Sequence, residues 1–378
     1  MKTTGLSGNE MYCLDKIGYK AGDLVVGNSV HALGFGRGIG SGIRAIIGGE
    51  VEQFTNLIEE GRASAIERME KEAKDRGAIG ITGVTSELVF HGGNIEFLSV
   101  GSSLHTKSNN GAKEEFAFST STDGQDMYAQ TDCGYKPLRF VFGNVAYSIG
   151  IASGIIGALK TLARGEIKEF SDIFNKTRHL ALERIINEAK KHNANSVVGI
   201  ETTILPLITG GLQEMLMIGT ASHNPSLPND KVVTSDLTPQ EMWNLNKMGY
   251  APMKILIGTS VYSLGLVGGI TSFFKSFTKG EIPELSHLVY EARENALSII
   301  NKEADEIGAD EVVGVKTYVY QLGNGIIEFL AIGTAVKKIP GLKNNSDHLE
   351  PQAFTTDWDT FVNTAEMSFG VDLNTQGV

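Results

Sequence analysis

Cysteine is scarce in this chain, with Cys13 and Cys133 alone in 378 residues. Two thiols that far apart supply neither a multi-bridge disulfide framework nor a CxxC motif, so a reducing compartment, the cytoplasm, is the expectation. Positive charge is also short. Lys and Arg total 33 against 44 Asp and Glu, a formal net charge of −11. A surface that neutralises phosphates needs the opposite balance, so no nucleic-acid partner is expected. Long apolar runs are missing as well. The longest, around Val145–Leu159 and Val261–Phe274, fall short of the ~20 residues a membrane-spanning helix requires. The opening MKTTGLSGNEMY has no apolar stretch of the kind a secretory signal carries. What remains, 41% hydrophobic and 20% charged residues, is the composition of a globular protein long enough for several domains.

What is present is repetition. Glu10-Met11-Tyr12 recurs as Asp126-Met127-Tyr128 and Glu241-Met242-Trp243, at offsets of 116 and then 115 residues. The same offsets relate Gly18-Tyr19, Gly134-Tyr135 and Gly249-Tyr250, the glycines Gly27, Gly143 and Gly258, and the arginines Arg62, Arg178 and Arg293. A register shared by so many positions defines an internal repeat. The copies span residues 8–107, 123–223 and 238–340, joined by polar linkers, and a tail covers 341–378. In the tail, Phe354-Thr355-Thr356-Asp357-Trp358 resembles Val233-Thr234-Ser235-Asp236-Leu237, which precedes the third copy, so the tail reads as the start of a fourth unit.

Each copy has the same order of elements. Thr238-Pro239-Gln240-Glu241 offers an N-cap, a proline in the first turn and an acid at N3, so a short helix opens the copy and Gly249 closes it. A strand follows, over Leu138–Phe142 in the second copy and Met253–Ile257 in the third. After a Gly-rich apolar segment comes a long helix, where Phe170, Phe174, Thr177, Ala181, Ile185 and Ala189 fall on one face at three- and four-residue spacing. A buried strand carrying Gly83, Gly199 or Gly314 and a hairpin through Glu96, Glu214 or Glu328 complete the copy. The pattern predicts an α+β fold of three tandem modules, each a small sheet packed with a long amphipathic helix.

VVGI in the second copy, preceded by Arg178-x-x-Ala181 and followed by a strand ending Gly219-Thr220-Ala221, resembles the bacterial YbjQ family, also called UPF0145. The resemblance covers most of each copy. It implies modules that assemble into ring-shaped homo-oligomers, pentamers in single-module members, with no established enzymatic activity and a heavy-metal-binding label. It also implies a Cys and a His on the Gly-Asn strand, where the first copy has Ser29 and His31.

The candidate chemistry is sparse. A closed soft-metal site needs about four converging Cys or His donors. The histidines are His31, His91, His105, His179, His192, His223, His287 and His348, and neither His nor Cys holds one position in all three copies. The acids that repeat are Glu50/Glu166/Glu281, Glu96/Glu214/Glu328 and Glu72/Glu188/Glu303. No repeated His, Ser or Lys stands beside them as base or nucleophile. The reading is structural: Glu50 and its counterparts cap or bridge the following helix, and Arg62 and its counterparts pair with an acid. Catalytic and metal-ligating residues are therefore expected to be none.

Gly34-Phe35-Gly36-Arg37-Gly38-Ile39-Gly40 follows a strand but satisfies neither phosphate-loop pattern, and only Gly34 and Gly38 persist in the other copies. Ser148–Ala163 and Ser263–Lys279, apolar with basic ends, fit either a packed interface between modules or peripheral membrane contact. The resulting expectation is a non-catalytic assembly or binding scaffold without a cofactor. The alternatives are a heavy-metal or small-ligand binder and a peripheral membrane protein.

Overall fold

The local sequence of each copy sets where its helices begin. α1 (Gly8–Lys16) and α5 (Pro239–Lys247) carry full capping boxes, Ser7 with Glu10 and Thr238 with Glu241, and Pro239 lies in the first turn of α5. α3 (Gly124–Asp132) is capped by the Asp123 carboxylate, which accepts from the Gln125 and Asp126 amides. These side chains satisfy amide donors that the first turn of a helix leaves unpaired. The computed structural model describes residues 3–32, 49–91, 93–109, 112–148, 165–208, 212–264, 283–323 and 326–349. The tail reading at Phe354–Trp358, the Gly34–Gly40 segment and nearly all of Ser148–Ala163 and Ser263–Lys279 lie outside the described residues.

Three antiparallel strands form the sheet of each module: β1 (Tyr19–Ala32), β3 (Gly80–His91) and β4 (Asn94–Thr106) in the first; β6 (Lys136–Ser148), β8 (Ser196–Ile208) and β9 (Leu212–His223) in the second; β11 (Tyr250–Ser263), β12 (Glu311–Gly323) and β13 (Ile326–Lys338) in the third. The hairpin's returning strand is always central. One long helix lies on each sheet, α2 (Glu52–Asp75), α4 (Lys168–Lys191) or α6 (Pro283–Ile307). The apolar face predicted for α4, from Phe170 to Ala189, is buried throughout. The expected α+β fold of three repeated modules is the one observed.

Two glycine positions fix how helix and sheet meet. A Cβ on Gly27, Gly143 or Gly258 would land 1.9, 2.2 or 2.1 Å from the carbonyl oxygen of Ala65, Ala181 or Ala296 on the overlying helix. Only glycine lets two backbones approach so closely. Gly83, Gly199 and Gly314 have φ of +64°, +61° and +65° and lie where the hairpin register shifts. This is a β-bulge that needs a left-handed residue.

The strands run longer than the sequence suggested. β6 reaches Ser148 and β11 reaches Ser263, well past Phe142 and Ile257. Asn144, Ser148, Thr259, Ser260 and Ser263 in those extensions are buried. Their polar character reads as exposed, yet the preceding module covers them. Each module also exchanges short strands with its neighbours. β2 (Gly49–Glu50) and β7 (Gly165–Glu166), from the first and second modules, add antiparallel to the edges of β6 and β11 in the next. The linker strands β5 (Phe118–Ser119) and β10 (Val233–Thr234) pair in parallel with β3 and β8. Of residues 348–378, 348 and 349 are described.

Candidate functional site: the joint between modules

The repeated arginine and the repeated hairpin acid meet across modules. Arg62 on α2 reaches Glu214 on β9 of the second module, Nε to Oε1 at 3.2 Å and Nη2 to Oε2 at 2.8 Å. Its Nη1 donates to the carbonyl and hydroxyl of Ser86, both at 3.0 Å. Arg178 on α4 reaches Glu328 on β13 of the third module, Nη2 to both carboxylate oxygens at 2.9 Å. All four side chains are fully buried. A dry guanidinium is tolerable only against a paired carboxylate, and the two-pronged geometry suits it. Burial works against the Arg178 charge, but Glu328 outweighs it and holds the guanidinium pKa above its ordinary value.

Around each pair the same backbone bonds recur. Thr55 Oγ1 accepts from the Ala146 amide at 3.0 Å, and the Val51 amide donates to the Ala146 carbonyl at 2.7 Å. One joint further along, Ser171 Oγ accepts from the Val261 amide at 2.9 Å, and the Ile167 amide donates to the Val261 carbonyl at 2.7 Å. Ala146 lies directly opposite Glu214 in the sheet, and Val261 opposite Glu328. One helix face thus grips one cross-strand pair of the following module. Apolar packing continues across both joints, with Ile58 and Phe97 clustered with Ala146, and Phe174 clustered with Val261 and Leu330. The small helices add a second contact, in which Trp243 Nε1 donates to Asp132 Oδ2 at 2.6 Å.

Arg62 and Arg178 pair with an acid, as expected, though the sequence did not say that the acid belongs to the next module. Glu50, expected to cap or bridge the helix that follows it, bridges the long helix of the next module. It does not cap α2, whose N-cap Val51 makes no side-chain bond. Its partner is Arg184 on α4, at 2.6 Å. Sequence reasoning missed Thr55 and Ser171 altogether. The signal was a hydroxyl seven residues before each repeated arginine, with Ser286 as the third copy's counterpart.

The histidines are dispersed. His91, His105, His179, His192 and His287 each lie beside one carboxylate, at 2.8 to 3.7 Å. His31 bonds Ser29 at 2.7 Å, and His223 ends β9. Cys13 and Cys133 are both buried, and burial pushes the Cys133 thiol up. Among the described residues no three His, Cys, Asp or Glu side chains gather as metal ligands would. A cavity of about 400 Å³ opens between the second and third modules, lined by Ser121, Asp126, Glu201, Asp236, Lys316 and Tyr318 among others. Burial, with Asp123, Glu201 and Glu241 adding repulsion, pushes the Asp126 carboxyl up to about 7. Its lining holds acids and one lysine but neither histidine nor cysteine. Among the described residues no helix is long and apolar enough to cross a membrane.

A chain of homologous α+β modules, each holding the next by a buried ion pair and a borrowed strand, is a tandem-repeat protein joined head to tail. The model of the YbjQ family, described as "Putative heavy-metal-binding", matches residues 16–101, 134–224 and 247–338, and the chain belongs to that family. It is similar to an encapsulin nanocompartment protein of Mycobacterium tuberculosis, 32% identical over 209 residues, which cover 53% of this chain and 78% of that protein. It is also similar to a UPF0145 protein of Thermotoga petrophila, 40% identical over 84 residues, covering 22% of this chain and 78% of the relative. A third relative, from Dehalococcoides mccartyi, is 49% identical over 55 residues, 15% of this chain and 53% of its own length. No solved structure matches the chain.

Proposed function

We propose that this protein is a self-assembling scaffold and not an enzyme, a building block of a larger cytoplasmic particle made of copies of itself. The observation that carries the reading is the twice-repeated joint, in which Arg62–Glu214 and Arg178–Glu328 lock successive modules. The repeated side chains Arg62, Arg178, Glu214 and Glu328 are spent on holding modules together. The relative named as a nanocompartment protein supports the same reading. A chain with only two cysteines, both buried, suits a reducing compartment.

Mass photometry of the purified full chain tests it. The expected result is discrete particles at multiples of the 40.6 kDa chain. A single species at one chain mass, unchanged up to micromolar concentration, contradicts the proposal.

A further inference from the structure

Each joint has a gripping face on the helix of one module and a gripped face on the sheet of the next, and among the described residues the chain presents one of each unused. On the third module, Arg293 corresponds to Arg62 and Arg178, yet its side chain is 47% exposed and reaches its neighbour Glu294 at 3.7 Å. Ser286, the counterpart of Thr55 and Ser171, is exposed. Val289 is exposed where Ile58 and Phe174 are buried.

The first module shows the reciprocal surface. Val30, the counterpart of Ala146 and Val261, is 59% exposed while both of those are fully buried. It lies opposite Glu96, the counterpart of Glu214 and Glu328. Glu96 is 27% exposed and bonds His91 at 2.8 Å instead of an arginine. On the side of β1 where β6 and β11 each receive a borrowed strand, no strand lies beside His31 and Ala32 among the described residues, and they pair only with β4. On the small helix Met11 is 45% exposed, whereas Met127 and Met242 are buried.

The two surfaces are complementary in the same charge, the same hydroxyl and the same apolar contact as the two joints already closed. We infer that α6 of one chain docks on the β1–β4 face of a second copy. Arg293 then pairs with Glu96, and the Ser286 hydroxyl accepts from the Val30 amide. This rests on the scaffold reading and names its partner surface. The contact is heterologous, so it joins chains in one direction and either closes a ring or runs into a filament. Any ring it closes through every module has a number of modules divisible by three.

The test uses the full chain in three forms. Arg293→Glu and Glu96→Arg each put like charges at the new joint. Each is expected to weaken chain-to-chain association by about a hundredfold or more, because one buried charge is left without its partner. Both residues are partly exposed within one chain, so the far-ultraviolet circular dichroism spectrum and Tm of the dilute chain stay as in the parent. In the third form, Val30→Cys with Ser286→Cys, mild oxidation is expected to give a reducible ladder at multiples of one chain mass. Either single-cysteine variant alone gives no ladder, since the native thiols are buried. Assembly unchanged by both charge variants, with no ladder from the cysteine pair, overturns this joint but leaves the scaffold reading standing. A parent chain that never assembles overturns both.

Discussion

A guanidinium removed from water needs every donor answered, and the two closed joints do this unequally. Arg62 spends its Nη1 on Ser86, whereas Arg178 Nη1 and the hydroxyl of Thr202, the counterpart of Ser86, find no hydrogen-bond partner among the described residues. Stacking compensates in part, since the Arg178 guanidinium lies 4.3 Å from the Tyr147 ring centre. Arg178→Ala leaves Glu328 buried and unpaired, so it is expected to cost about 3–5 kcal/mol in chemical denaturation. Arg293→Ala in the dilute chain is expected to stay within about 0.5 kcal/mol, the range of an exposed position.

Gly143→Ala is expected to cost about 3 kcal/mol, because the obstacle is helix backbone that cannot rotate away. Asp126 gives a pH signature. Its folded pKa of about 7 lies above its ordinary 3.8, so the folded state binds the proton more tightly. Its contribution is most favourable below pH 4 and is lost as pH rises through 7. Asp126→Asn should therefore raise stability by about 1–2 kcal/mol at pH 8, a figure already reduced for partial exposure, and leave it unchanged near pH 4. Equal effects at both pH values would remove burial as the cause.

Among the elements, those written in local sequence were the legible ones. Thr238, Pro239 and Glu241 announced α5, and Phe170 to Ala189 announced the inner face of α4. Thr238→Ala is expected to lower stability by about 1 kcal/mol through the lost cap, read from the shift in thermal unfolding. The strands were legible only in their first halves. Asn144, Thr259 and Ser260 look like the end of a strand because nothing nearby in sequence reveals that α2 or α4 will cover them. The site was half visible for the same reason. Arg62, Arg178 and the hairpin acids stood out by repetition, but pattern alone could not tell a pair within a module from a pair between modules. The dispersed histidines carry a further expectation. Elemental analysis should find substoichiometric heavy metal, unchanged by His31→Ala with His91→Ala. One equivalent per chain, lost in that variant, would favour a metal-binding role.

Across the whole molecule, one joint recurs with the same chemistry and the same direction, so the three modules already trace a short run of an assembly. Among the described residues, the third module presents a helix face and the first a sheet edge. In the proposed assembly, that polarity directs further copies along the internal pattern and not into a two-fold pairing of like surfaces. An unpaired sheet edge is itself a reason to associate, since another strand can pair the amides and carbonyls it leaves open.

A cryo-EM reconstruction of the assembled full chain tests the central claim most directly. The expected result is that α6 crosses from one chain onto β1 and β4 of the next, with the placement that α2 has on the second module and α4 on the third. A particle built on two-fold contacts between like modules, or with α6 facing solvent, would contradict it.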